Sequence, residues 1–363
     1  MKKSISLRSL FALSFSIIIT ILIVVITSAI SVRSTEGYKN QIGNTLSEVS
    51  YQMADKLDHY MWSRYGEVSL LSKIYTFRNL ENITEIRNLI EELQKNAPEY
   101  AWIGVLDTEG NVVIATDGIL EDKNISTRPV YNQALEKPFI GDVHEAVLLS
   151  SLLSNPTGEE MKFVDISIPI KYENGNLQCI LATHLSWKWA DEIKDSIMNP
   201  LKYRNDLDLF IISNDNTVLL GPYGMLGENL ELESIDNSKS NESNWIVETW
   251  QDGKEYLTGY SSENGYKDYK GLGWTILVRQ PLSIAYKPVE ELRNFIIIIG
   301  VVLAIIFAYI GWIIAGVIAK PLKKIVLSAD KLRLGEQVEI PEYHGIKDIE
   351  LLSVSLRSLI DSL

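Results

Sequence analysis

The chain has 363 residues, of which 46% are hydrophobic and 22% charged, and its formal net charge is −13. That length and apolar content support two or three domains with real cores and exclude a disordered chain, while the acidic balance argues against nucleic acid as a partner. A single cysteine, Cys179 in the apolar run LQCILATHL, excludes an intrachain disulfide and a cysteine-rich zinc site.

Residues 10–32 and 295–319 carry no charge, and each exceeds the roughly 20 residues needed to cross a bilayer. Lys2, Lys3 and Arg8 would also suit the start of a signal peptide, but the apolar part is longer than the ~7–15 residues usual there, so an uncleaved anchor is expected. Basic residues flank the outer ends of both spans, with Lys320, Lys323 and Lys324 following the second. The positive-inside rule then predicts a two-pass protein of the cell (inner or plasma) membrane, with both termini cytoplasmic and residues 33–294 outside. That outer segment holds 40 acidic and 24 basic residues, against 7 and 10 in the two cytoplasmic parts.

After the first span, Ile42, Leu46, Val49, Met53, Leu57, Met61, Val68 and Leu71 keep a three-or-four spacing, and no proline falls between residues 33 and 97. This predicts a stalk helix over 33–80, long enough to need a partner helix and so to favour a homodimer. From residue 100 the pattern becomes strands and turns. YAWIGVLD, TEGN and VVIAT read as a hairpin; FIGDV, MKFVDISIPIKY and LQCILATHLSW are further strands, with RPVYNQALEK as a short helix. The same grammar recurs in DLDLFIISNDNTVLLGPYG, WIVETW, EYLTGYS and GWTILVRQP, after a linking helix SWKWADEIKDSIM. The expected fold is α+β: a distal module over about 81–185 and a proximal one over about 200–282, each a five- or six-stranded antiparallel sheet with helices on one face.

In the tail, Leu322, Ile325, Ala329 and Leu332, and then Ile349, Leu352, Leu356, Leu359 and Leu363, form two heptad seams joined by GEQVEIPEYHGIK, whose Val338 and Ile340 are placed to dock on the helices. Two short helices cannot bury such seams alone, so a four-helix bundle in a dimer is expected.

This layout resembles the front end of bacterial chemoreceptors, sensor histidine kinases and membrane diguanylate cyclases: a transmembrane helix, a double Cache (dCache, tandem PAS-like) extracytoplasmic sensor, a second transmembrane helix and a HAMP domain over 320–363. The sensor resemblance is carried by MWSRYGEVSLLSK at 61–73, TRPVYNQAL at 127–135 and GDVHEAVLLSSLLSNPTGEEMKFVDISIPI at 141–170. The HAMP resemblance is carried by Pro321, the two seams, Gly335 and KDIELLSVSL, where Asp348, Ile349 and Glu350 replace the family's Asp-Glu-Ile-Gly.

The resemblance implies that the distal module holds a small extracellular solute. Arg128 would offer a planar fork of donors to a carboxylate or carbonyl, Tyr131 a stacking face with a hydroxyl, and Asp142 or Asp165 an acceptor for an amine or ring N–H. Trp102, Trp62 and Tyr65 would supply apolar walls. Each has a bland alternative: a surface ion pair of Arg128 with Glu121 or Asp122, core packing for Tyr131, Trp62 and Trp102, a solvent-facing Asp165. In FIGDVHEA, strand alternation sets Asp142 and His144 on one face and Val143 and Glu145 on the other, and AVLLSSLLSNPTGEE beyond it reads as a lid-like excursion.

No metal, cofactor or enzyme activity is expected within these residues. His144 and Glu145 invite comparison with HExxH, but Leu148 stands where the second histidine is required, and His59, His184 and His344 lie far away in sequence. No Gly-x-Ser-x-Gly elbow, P-loop or dinucleotide fingerprint occurs. The expected function is a transmembrane receptor that binds an amino acid, amine or purine-like solute and relays it through the second span and HAMP. Its expected target is a cytoplasmic output not present in this sequence; the alternatives are an output-less protein that pairs with a full-length relative, or the front part of a diguanylate cyclase or histidine kinase.

Overall fold

The computed structural model describes residues 7–361 apart from 79, 81, 156, 157, 159, 204, 205, 241 and 337. The chain divides into two compact units, residues 39–285 and residues 1–38 with 286–363.

The first unit is built on helix α1 (Leu7–Ser72), whose residues from 39 onward contribute to it. Leu46, Met53, Leu57, Met61 and Val68 are buried along one stripe of α1, as their spacing requires. The helix stops at Ser72, short of the expected residue 80, because the backbone tightens into i→i+3 bonds from Lys73 to Leu70 and from Ile74 to Leu71. Helix α2 (Ile83–Asn96) follows, capped by the Asn82 side chain on Glu85 N–H.

Next come β1 (Tyr100–Leu106), β2 (Val112–Ala115), α3 (Pro129–Asn132), β3 (Phe139–Glu145), α4 (Val147–Leu152), β4 (Lys162–Lys171) and β5 (Leu177–Ser186), forming an antiparallel sheet in the order β2-β1-β5-β4-β3. Helix α5 (Lys188–Met198) links it to β6 (Asp208–Ile212), β7 (Val218–Leu220), α6 (Glu233–Ser238), β8 (Asn244–Thr249), β9 (Glu255–Ser262) and β10 (Thr275–Pro281), a second sheet ordered β7-β6-β10-β9-β8; α7 (Leu282–Ala285) ends the unit. The identical strand order is the structural form of the repeated sequence grammar.

One face of the first sheet carries Trp102, Leu106, Phe163, Ile180 and Ala182, packed under Val130, Tyr131 and Leu149. Gly104 makes room for this: a Cβ there would lie 2.3 Å from the Trp102 ring. The second sheet buries Phe210, Ile212, Trp250, Tyr256, Tyr260 and Leu277. Against it α1 approaches so closely that a Cβ on Gly259 would lie 2.2 Å from the backbone carbon of Leu46. Asp58 of α1 accepts from the Asn264 and Gly265 amides, and Trp274 joins the two sheets by packing its ring 5.0 Å from Trp187.

In the other unit, α8 (Lys287–Arg333) and the N-terminal part of α1 are long and apolar enough to cross a membrane. Gly300 and Gly311 of α8 face Ile23 and Phe15 of α1 with no room for a side chain. Helix α9 (Lys347–Asp361) is held by the connector before it: Ser353 donates to the Pro341 carbonyl and Arg357 to the Ile340 carbonyl, and Ile340 is buried.

Candidate ligand-binding site

Beneath α4 lies a cavity of about 90 Å³ lined by Leu120, Arg128, His144, Leu149, Asp165 and His184 among others. Its floor is the paired strands β4 and β5, where Asp165 sits directly opposite His184. Both are buried, and Asp165 Oδ1 lies 2.5 Å from His184 Nδ1. His184 is itself opposite Trp102 of β1, with ring centroids 5.6 Å apart.

A β-bulge brings in His144. Gly141 pairs with Asp165 and His144 with Phe163, so Asp142 and Val143 together oppose the single residue Val164. The extra residue shifts the alternation by one and turns His144 onto the Asp165 face, leaving Asp142 off it. Asp142 and His144 therefore do not share a face, contrary to the regular-strand expectation. His144 Nε2 is 3.5 Å from Asp165 Oδ2, and its Nδ1 lies 3.0 Å from the Asp142 carbonyl oxygen. The Asp142 carboxylate instead accepts from Trp274 Nε1 at 2.7 Å and from Val143 N–H, and burial pushes its pKa up.

The other expected wall residues stand apart from the cavity. Tyr131 is buried and donates through its hydroxyl to the Thr108 carbonyl at 2.6 Å. Trp102 is wholly buried, with its indole N–H given to the Ile119 carbonyl. Trp62 donates to Asp268 at 2.8 Å and stands edge-on to Tyr266, in the loop after β9, and Tyr65 shares that neighbourhood, where burial and then the Asp268 charge raise its phenol pKa. Arg128 does line the cavity; Glu121 pairs with Arg87 at 2.7 Å, and among the described residues Arg128 makes no ion pair. The solvent-facing alternative for Asp165 does not hold, since it is 2% exposed.

Sequence reasoning missed His184 and, with it, a cluster capable of holding a metal: ligand atoms of His144, Asp165 and His184 all lie within 4.8 Å of one another. The signal was present as one histidine in an apolar strand two strands from His144. Regular counting back from the Tyr172–Asn176 turn would pair Asp165 with Thr183; a bulge at Gln178 moves the partner to His184. A second, larger cleft of about 670 Å³ lies between the modules, bordered by Lys162, Trp187, Tyr223 and Leu226.

No family model and no curated protein matches the chain. Solved structures do. The periplasmic sensory domain of the Campylobacter jejuni chemoreceptor Tlp1 matches with TM-score 0.51 and 15% identity, over 69% of this chain and 99% of that one. The ligand-binding domain of C. jejuni Tlp3 in complex with L-valine matches with TM-score 0.51 and 12% identity, over 70% and 98%. The extracellular domain of the candidate histidine kinase rpHK1S-Z16 matches with TM-score 0.50 and 10% identity, over 66% and 93%. The long helix with two like-ordered antiparallel sheets is thus the tandem PAS-like fold that these sensory and ligand-binding domains share.

Proposed function

We propose that the chain is a two-pass membrane receptor whose distal module binds a small solute in the cavity beneath α4. The observation that carries this reading is the convergence of Arg128, His144 and Asp165 on one cavity in a fold of sensory domains. A cavity of about 90 Å³ favours the smallest of the expected solutes, an amino acid or amine, over a purine. Arg128 takes the carboxylate and Asp165 the ammonium group. Tlp3, a fold neighbour, binds L-valine, which supports this class.

On this reading, residues 33–294 are extracytoplasmic and both termini cytoplasmic, the receptor is a homodimer through the stalk and the HAMP segment, and binding shifts α8 and the packing of α9. Signalling then requires a solute that prefers one of two receptor states. A thermal-shift screen of the full chain in nanodiscs against amino acids, amines and purines tests it. The expected result is stabilisation by a member of the first two classes that is lost in Arg128→Ala; no stabilising solute, or one indifferent to Arg128→Ala, overturns it.

A further inference from the structure

The cluster beneath α4 carries a charge arrangement that its own side chains leave incomplete. A carbonyl only accepts, so the His144 Nδ1 at 3.0 Å from the Asp142 oxygen carries the proton. In the neutral ring Nε2 is then a bare lone pair, and it faces the acceptor Asp165 Oδ2 at 3.5 Å. On the other side Asp165 Oδ1 and His184 Nδ1 are 2.5 Å apart without the alignment of a hydrogen bond, and neither buried atom has another hydrogen-bond partner among the described residues. Acceptors that converge in a buried place need a positive charge among them.

We propose that His144, Asp165 and His184 hold a divalent transition-metal ion of the zinc class. The three ligand atoms fall within 4.8 Å of one another. Ligands about 2.1 Å from a tetrahedral ion lie roughly 3.4 Å apart, close to the 3.5 Å between His144 and Asp165. The 2.5 Å contact of His184 has to widen by about 0.9 Å to reach that spacing, which a small turn of its ring supplies. Two imidazoles with one carboxylate suit zinc, nickel, copper or iron, and disfavour calcium and magnesium, which prefer oxygen ligands alone. The His144 N–H to the Asp142 carbonyl is the outer contact that metal-bound imidazoles usually make, fixing which nitrogen faces the ion.

Three protein ligands leave a coordination position open. It faces the cavity, whose volume of about 90 Å³ holds several waters, with Arg128 on its lining to balance an anion. With the ion in place, the solute's carboxylate or its deprotonated amine meets the ion directly, in place of the pairing of an ammonium group with Asp165. The ion site goes beyond the receptor reading and stands on the three side chains alone.

The test is equilibrium dialysis of the chelator-stripped full chain in nanodiscs against Zn²⁺, with metal analysis, and Co²⁺ absorption as a second readout. Expected are one zinc per chain, ligand-field bands with Co²⁺, and zinc binding weakened at least about 100-fold in Asp165→Asn and His144→Gln, more than loss of an outer contact produces. His59→Gln, whose ring lies on the exposed surface beside Asp55, leaves binding unchanged. Since Asp165 is buried, His144→Gln at the half-exposed rim is the deciding variant, with its metal-free melting curve as the folding control. No stoichiometric zinc and no Co²⁺ bands, equal zinc affinity in His144→Gln, or displacement by equimolar Ca²⁺ overturns the site. A solute shift in metal-free protein without zinc uptake overturns the ion site and keeps the receptor reading; zinc uptake without any solute shift does the reverse.

Discussion

Replacing Glu263 with glutamine should remove a pH dependence from the stability of the sensor unit. Glu263 is 5% exposed, accepts through Oε2 from the amides of Leu272, Gly273 and Trp274 and through Oε1 from Tyr269 Oη, and has the Asp58 carboxylate as its neighbour. Burial chiefly, with the Asp58 charge, pushes its pKa from an ordinary 4.5 up to about 7, while the Tyr269 hydrogen bond acts in the opposite sense; Asp58 is raised as well, mainly by burial. The folded chain therefore holds protons between pH 4.5 and 7 that the unfolded chain releases. The stabilisation is fully present below pH 4.5 and lost as pH rises through about 7, a change on the order of 3 kcal/mol. Glutamine keeps an acceptor for the three amides and carries no titrating group. For a unit of this size, melts followed by tryptophan fluorescence at pH 5 and pH 8 should show the natural chain losing about 6–12 °C more than Glu263→Gln. Equal losses in the two proteins would refute the reasoning.

Gly259→Ala would drive a methyl to 2.2 Å from the Leu46 backbone carbon; carbon atoms rest at about 3.5–4.0 Å, so α1 must move off β9. A cost at the upper end of about 1–3 kcal/mol is expected, seen as a lowered urea midpoint; an unchanged midpoint counts against the close approach. Trp274→Phe leaves the half-buried Asp142 carboxylate short of a donor, costing about 1–3 kcal/mol. A double-mutant cycle with Asp142→Ala should show a coupling of at least about 1 kcal/mol, and additive effects would deny the contact. Cys179 is fully buried and its thiol is pushed up to about 12 by burial, so alkylation at pH 8 should be far slower in the folded chain than in urea.

The elements that depend on local periodicity were legible. The buried stripe of α1, the β1–β2 hairpin, linker helix α5 and the doubling of the sheet all follow from period-3.6 and period-2 hydropathy. What was not legible depended on single extra residues and on heights along a helix. The bulges at Asp142–Val143 and at Gln178 each shift a strand by one position, and together they assemble His144, Asp165 and His184 from segments whose regular registers would keep them apart. Trp62 and Tyr65 lie on the stalk as expected, yet nothing in their sequence says that the loop around Asp268 meets α1 at their level. Tyr131 and Trp102 answered to backbone carbonyls, at Thr108 and Ile119, that only the folded chain brings near.

The bulge in β3 also restricts how such a protein can vary by descent. Asp142 serves the contact between the modules and His144 the cavity, and the odd residue between Gly141 and His144 keeps the two on their separate duties. Regular pairing at the present length would rotate His144 off the Asp165 face, whereas loss of Val143 would leave Asp142 alone opposite Val164 and the histidine still opposite Phe163. What a relative that keeps both duties must preserve is therefore the face each residue takes, and the residue count only through it.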